Sequence, residues 1–524
     1  MMNEKGNQLM KNPNIRFSTI LVLASLLLSL KAHAVSPPPD GGYPGGNTAE
    51  GQNALLSLTS GPYNTGIGIF SLLSLTDGSF CTGVGAGTLL ANTADENTAT
   101  GAGALLSNTT GDENTANGAF ALFSNTEGNF NTATGVSALN NNTTGSSNTA
   151  DGFQALLSNT TGTNNTATGL GALFSNNTGS GNTANGFQAL FSNNTGELNT
   201  ATGAQALFSN TTGVNNTANG VQALLSNTDG SDNTADGFQA LFSNTGGANT
   251  AYGSEALAFN TDGSFNAANG CQALLSNTKG SANTANGFGA LFSNTTGGGN
   301  TASGVNALLL NTTGSANTAY GSGAGANVTT ASHVICIGDE VSGENVDNSC
   351  YIGSIFGQTS SGGTGVFINS DGRLGTATSS RRFKDAIRPM ENGSEALLAL
   401  KPVTFRYKKE IDPQCIPQFG LVAEEVEAVN PDLVIRDKEG NPYTVRYDAV
   451  NAMLLNEFLK EHKKVQELEA TVTHQQKSFA RQQAQIETLG SRLQKVSAQI
   501  EISRPAQQVA SLPAVALREG GNNP

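Results

Sequence analysis

Through the middle of the chain, apolar residues arrive in one short cluster every seventeen positions, separated by Gly, Asn, Thr and Ser. Consecutive units read NTATGAGALLSNTTGDE (97–113), NTANGAFALFSNTEGNF (114–130) and NTATGVSALNNNTTGSS (131–147). The shared pattern is N-T-A-x-G-x-x-A-L-[LF]-S-N-T-T-G-x-x. Units run from Asn47 to Asn317, and the steps of 17 are broken only by steps of 16 at Cys81 and Asn233. The Gly five places into each unit is constant, from Gly51 through Gly169 to Gly321. A fixed period of this length marks a stack in which each repeat touches only its neighbours.

Seventeen residues cannot hold two helices and a turn, and two Gly per unit disfavour helix. Short strands bounded by Gly and Asn turns fit instead. Each unit therefore predicts one coil of a parallel β-solenoid. With coils about 4.8 Å apart, about sixteen make a rod on the order of 75 Å long. Asn and Thr from successive coils are expected to form ladders. The constant Gly is expected at a corner that needs positive φ or close backbone approach. In QALFS (188–192), a period of two points Ala189 and Phe191 one way and Gln188, Leu190 and Ser192 the other. One face fills the coil, and the other leaves Leu exposed in every coil, a stripe of the kind that marks an interface between chains. The competing reading is a thicker monomeric solenoid with both faces buried.

From Leu454 the period changes. Phe458, Val465, Val472, Phe479, Ile486, Leu493 and Ile500 form an a series; Leu468, Gln475, Gln482, Leu489 and Val496 fall in the d series. This unbroken heptad seam predicts a coiled coil over 458–503, compatible with three strands. A single helix packed on the preceding domain is the alternative. Residues 379–457 have a globular pattern: a helix at SEALLAL (394–400) with Ser394 as N-cap, strands at VTFRY and FGLVA, and a helix at AEEVEAV. A hairpin is expected to turn at Glu439-Gly440-Asn441. Residues 331–378 read as a β neck, 35–46 as a linker and 504–524 as a disordered tail.

Composition narrows the function. The 524 residues carry a net charge of −14, and Lys279 is the single Lys or Arg between 41 and 330. Nucleic acid is excluded as a partner, because phosphate binding needs Lys and Arg. Residues 1–34 read as a signal peptide: Lys5 and Lys11, an apolar run, then Ala32-His33-Ala34 before Val35. An uncleaved anchor is the other reading; no later stretch is apolar enough to span a bilayer. The five cysteines show no metal-ligand spacing. Cys336 and Cys350 either pair or stay free thiols. No metal site and no cofactor is expected.

The NTAxGxxALxSNTTG units resemble the head repeats of trimeric bacterial surface adhesins and related fibre proteins, whose classical repeat is shorter than seventeen. The resemblance covers 47–330 and implies left-handed parallel β-rolls built as trimers. The C-terminal end has no run of alternating apolar strands like the membrane barrel of autotransporter adhesins.

A second resemblance starts at SSRRFK (379–384). A serine becomes a nucleophile only beside a base, and a lysine serves once desolvation removes its charge. By spacing alone that pairing is weak. SSRRFKDAI followed by FGLVAEEVE and YTVRYDAVNAML, however, is similar to the endosialidase-type intramolecular chaperone. That family is a self-cleaving serine peptidase domain of phage tailspikes and fibres, also found in a eukaryotic membrane-tethered transcription factor. Its start motif, Ser-Asp-x-Arg-Leu-Lys, carries over as Ser379, Arg382 and Lys384, with Ser380 in place of Asp and Phe383 in place of Leu. The resemblance implies Ser379 as nucleophile, Lys384 as general base, trimeric folding, and release by self-cleavage.

These readings describe a mainly β chain: a solenoid rod, a small α+β domain and a helical coiled coil, trimeric and secreted or held at the bacterial cell surface. The expected function is an adhesin-like fibre with a trimerising, self-cutting C-terminus and no turnover of an external substrate. The alternative is a rod that binds ice or polysaccharide, with a non-cleaving trimerisation domain. Against it, the Thr residues are expected beside turns. The rod's host or surface ligand is not specified by the sequence.

Overall fold

The computed structural model describes residues 43–369 and 371–503. The expected signal peptide and tail lie outside the described residues. The chain divides into two compact units between Thr359 and Ser360.

The first unit is the solenoid. Nineteen three-residue strands, β1 (Thr48–Glu50) to β19 (Cys350–Ile352), pair in parallel, each with the next in sequence. Within the repeats the register is one period: Thr98 lies opposite Thr115, and Thr183 opposite Thr200. At the two short units the offset drops to 16, with Thr82 opposite Thr98 and Thr234 opposite Thr250. The ladder continues past residue 330 through β18 (Ile335–Ile337) and β19. Cys336 is buried opposite Tyr351, whereas Cys350 is exposed opposite Ile335. The two thiols thus sit on opposite faces, and both are free.

From β4 to β17 every strand but the A-A-N of β14 is T-A-x, with the central Ala buried and its two neighbours facing outward. The Thr column therefore lies on the strands themselves, correcting the expectation that it sits beside turns. The interior is filled by that strand Ala and by the Ala-Leu pair of the following turn, such as Ala184, Ala189 and Leu190. The period-two reading of QALFS fails here, and with it the stripe of exposed Leu. The segment is not a strand: Gln188 and Leu190 adopt φ of 54° and 51°. These two left-handed residues curl the chain so that Ala189 and Leu190 both face inward. Left-handed backbone at a non-Gly residue costs on the order of 1 kcal/mol or more, and complete burial of Leu returns about 1.5–3 kcal/mol. Stacking holds the curl in place, since Leu190 N–H donates to Ala206 O at 2.9 Å and Gln188 N–H to Leu170 O at 2.9 Å. The residue after the corner Gly is instead an exposed apolar one in many coils, as at Phe187.

The corner Gly meets both expected conditions. Gly186 has φ +144°, and a Cβ there would lie 2.5 Å from Gly203 O. Two buried Asn ladders converge on the other Gly of the unit. In the first, the backbone N–H of Asn182 donates to Asn165 Oδ1 at 3.0 Å, and its Nδ2 to Gly196 O at 2.8 Å. In the second, Asn193 Nδ2 donates to Asn176 Oδ1 at 2.7 Å and to Gly196 O at 3.0 Å. Among the described residues, no buried side-chain polar atom lacks a partner, which is what a polar core of this kind requires. The short units keep the second ladder by shifting one acceptor: Asn244 Nδ2 reaches the carbonyl two residues on, at Gly246, rather than three.

The second unit opens with an antiparallel pair, β20 (Val366–Ile368) and β21 (Leu374–Thr376). After it come β22 (Val403–Phe405) with β23 (Gln418–Gly420), helix α1 (Ala423–Val429), and the hairpin β24 (Val434–Arg436) and β25 (Pro442–Val445). Gly440 supplies the expected turn, with φ +89°. Val426, Leu433, Val434, Val445 and Met453 form the core, with Leu397 and Leu400 packed against it. The expected helix at 394–400 is a 3-10 helix over Glu391–Ala399, and Met390 rather than Ser394 stands at its N-cap. The last element among the described residues is a 56-residue helix, α2 (Tyr447–Ile502). Among the described residues, no helix is long and apolar enough to cross a membrane.

Candidate functional site

The segment Ser379–Lys384 forms a single tight turn. Arg381–Phe383 is one turn of 3-10 helix, closed by Phe383 N–H to Ser380 O at 3.0 Å and Lys384 N–H to Arg381 O at 3.1 Å. The Arg382 guanidinium lies 4.5 Å from the centre of the Phe383 ring, within range of a cation–π contact. Ser379 and Lys384 flank this turn, and both are exposed. Among the described residues, no hydrogen bond joins their side chains. The turn keeps the two residues close along the chain, and a single protomer leaves them in water.

A different serine and lysine do meet, and sequence reasoning missed them. Ser394 is buried, and its Oγ donates to Glu457 Oε1 at 2.5 Å. Asn456 Nδ2 donates to Ser394 Oγ at 2.6 Å and to Glu391 O at 3.0 Å. Lys460 Nζ donates to Glu457 Oε1 at 2.8 Å and stands 3.5 Å from Ser394 Oγ. This is a clasp between the 3-10 helix and α2, not a nucleophile with its base. The Ser394 hydroxyl and the Lys460 Nζ both donate to the same carboxylate oxygen. The hydrogen bond from Lys460, then that from Ser394, keeps the Glu457 carboxyl below its ordinary value of 4.5. The clue in the sequence was the N-E-x-x-K run at 456–460 on one face of a helix. Its partner, Ser394, lies more than sixty residues upstream, beyond the reach of any local rule.

Two smaller features position the domain on α2. The hydroxyl of Tyr447, in its first turn, accepts from Leu421 N–H at 3.1 Å. Gly420 lies under that ring: a Cβ there would stand 3.0 Å from the Tyr447 hydroxyl and 3.1 Å from the Phe405 ring. The Gly of FGLVA therefore answers to close packing. Beyond Met453, α2 carries its apolar seam into solvent. Phe458, Val465, Leu468, Phe479, Ile486 and Leu493 are all exposed in the single chain.

No curated protein and no solved structure matches this chain. Residues 379–435 match the family model described as chaperone of endosialidase, beginning at the serine of the SSRRFK turn. With nineteen stacked strands before it, that match identifies a β-solenoid fibre protein that carries an endosialidase-type chaperone domain near its C-terminus.

Proposed function

We propose that this protein is an exported homotrimeric, adhesin-like fibre whose C-terminal domain trimerises the chain and then cuts itself from the rod. The observation that carries the reading is α2: an unbroken heptad seam, exposed over its whole length beyond Met453, attached to a domain of the chaperone family. A helix this long with one apolar stripe is stable in water only when that stripe is covered, and two further copies cover it. A parallel solenoid is built almost wholly from contacts between coils, which must enter one register in order. Joining three chains at their C-termini raises the local concentration of the rod ends. Removing the chaperone afterwards makes the assembled rod a kinetic trap.

In the cleavage step, Lys384 Nζ takes the Ser379 hydroxyl proton as Oγ forms a bond to a backbone carbonyl carbon. The C–N bond then breaks, the amine leaves with a proton, and water hydrolyses the resulting ester. A lysine can accept that proton only once desolvation has removed its charge. Both residues are exposed in one protomer, so in this reading cleavage follows assembly. Ser379→Ala tests it: wild type should yield two fragments on a denaturing gel where the variant stays whole. Light scattering should give three times the chain mass. An intact wild-type band ends the peptidase half of the proposal, and a monomer mass ends both halves.

The second reading, a ligand-binding rod, draws on the Thr column of the strand face. Thr98, Thr115, Thr132, Thr149, Thr166 and Thr183 repeat on successive strands with their side chains outward. Thermal-hysteresis and glycan-binding assays on the rod test that surface; silence in both removes it.

A further inference from the structure

Outside its buried ladders, the solenoid presents a polar strand face, an apolar column after the corner Gly, and a mixed column at the last position of the unit, where Phe130, Leu198 and Phe265 share the row with Asn164, Asn215 and Asp232. The strand face is polar, with Thr and Asn and occasional acids such as Asp151 and Asp236. The column after the corner Gly is apolar from 136 to 305 except at Ser254. It carries Val136, Phe153, Phe187, Phe238, Phe288 and Val305, each close to half exposed. From 136 to 305 this position holds no charged residue in any coil. Behind it runs a second apolar row, in which Phe174, Phe191 and Phe208 stack with ring centres 4.8 and 5.2 Å apart.

We propose that this column, and not the Leu of the ALF cluster, is where the rods of neighbouring copies of this chain meet, in parallel and without axial offset. The inference rests on the trimer reading above and adds the face and the register. Three observations select a second copy as the occupant. First, the column repeats at the spacing of the coils, about 4.8 Å, over roughly 50 Å. A partner that fits every step must carry the same period, and another copy of this rod does. Second, eight half-exposed apolar side chains at roughly 80–100 Å² each offer about 700 Å² per chain. Divided between the two neighbours of a trimer, that is about 350 Å² per contact, less than the ~800 Å² per partner of a stable two-body interface, so the column adds to the α2 seam and does not replace it. Third, identical chains related by one cyclic axis carry like coils at like heights, so Phe187 meets Phe187. The strand face, with its acids, then stays in solvent, because like charges at equal height repel.

The chain carries its own probe. Cys271 occupies this column, between the coils of Phe238 and Phe288, and is exposed. With Cys350→Ser and Cys415→Ser in the full chain, a short bismaleimide should join two copies through Cys271, and Cys271→Ser should abolish the product. Phe187→Asp with Phe238→Asp should cut the yield at least tenfold and open the rod to protease, whereas Thr200→Asp on the strand face should do neither. A trimer by light scattering whose Cys271 is labelled but never linked, and whose rod ignores the Phe variants, overturns this interface and leaves the trimer standing. A monomer overturns both. Because the Cys271 product is read without any Phe variant, the proposal is testable even if those variants misfold.

Discussion

Asn131 donates twice to one atom of Asn114, its backbone N–H and its Nδ2 both reaching Asn114 Oδ1, at 3.0 and 3.1 Å. The same pair of bonds recurs in each coil from Asn114 to Asn233 and again at Asn266 and Asn283, and at the N-terminal end Cys81 interrupts the ladder. Cys81 N–H still donates to Asn64 Oδ1 at 2.8 Å. Its thiol, however, replaces the Oδ1 that Asn97 N–H would use. The other short coil shows that Asn fits, since Asn249 N–H reaches Asn233 Oδ1 at 3.0 Å. Cys81→Asn should therefore stabilise the N-terminal coils by about 1 kcal/mol. Differential scanning calorimetry of the rod checks this, and no gain in melting temperature refutes it. Burial raises the Cys81 thiol to about 11, so maleimide should label Cys271 in the folded protein and spare Cys81.

The corner Gly is the least replaceable position of the repeat. Gly186→Ala would place a methyl 2.5 Å from Gly203 O, on a backbone at φ +144°. The adjoining coils must part, and each interface in a stack is local. Limited proteolysis should therefore produce a new cut near 186 while the outer segments stay protected. An unchanged digest would mean that the stack absorbs the methyl.

Leu190 and Ser192 separate two accounts of the coil. A period of two puts them on one face, whereas the structure buries Leu190 completely and leaves Ser192 half-buried without a side-chain hydrogen bond. Leu190→Ala should cost about 3 kcal/mol and Ser192→Ala no more than about 0.5 kcal/mol, read by denaturant unfolding. Equal costs would restore the strand reading.

That pair also shows where sequence stops informing. The corner at Gly186 was legible because only Gly tolerates both its φ and its neighbour, so the residue type itself carries the geometry. The left-handed turn at Leu190 was not, because Leu in isolation disfavours that backbone. It is held there by bonds to coils on either side, and no single repeat contains them. The Asn ladders were legible from their period, yet their Gly carbonyl partners were not. In the second unit, α1 and the Gly440 turn came from local pattern. Ser394 was misplaced because its partner Glu457 lies on α2. The roles of Ser379 and Lys384 came from motif resemblance, and one protomer supplies no side-chain hydrogen bond between them.

The Ser394–Glu457–Lys460 clasp gives the second unit an acid limit. The Glu457 carboxyl is depressed below 4.5 when folded. Its stabilisation is therefore full above that value and is lost as pH falls through the folded pKa. Melting of the α2 helix, followed by circular dichroism, should drop on acidification below about pH 4.5. Glu457→Gln should start lower and lose less over the same range. Asp437, also depressed, by the backbone N–H of Asn441, contributes equally to both proteins and cancels in the difference. Parallel curves for the two would remove Glu457 from the acid response.

The seam of α2 interrupts its own apolar character at Gln475 and Gln482, two consecutive d positions among Leu468, Leu489 and Val496. Polar residues at such positions cost stability and fix register, because a slipped helix would bury them against apolar neighbours. In the trimer reading, the two Gln layers align three chains whose rods must start in step. Gln475→Ile with Gln482→Ile should raise the melting temperature of the helix. It should also let helices associate out of register, broadening the mass distribution in light scattering and lowering the yield of protease-resistant rod. Phe479→Asp, between the two layers, should have the opposite effect on the helix and leave a single chain. If the double Ile variant is more stable and its rod assembles as well as wild type, register is set elsewhere, and the rod column through Phe187 becomes the stronger candidate.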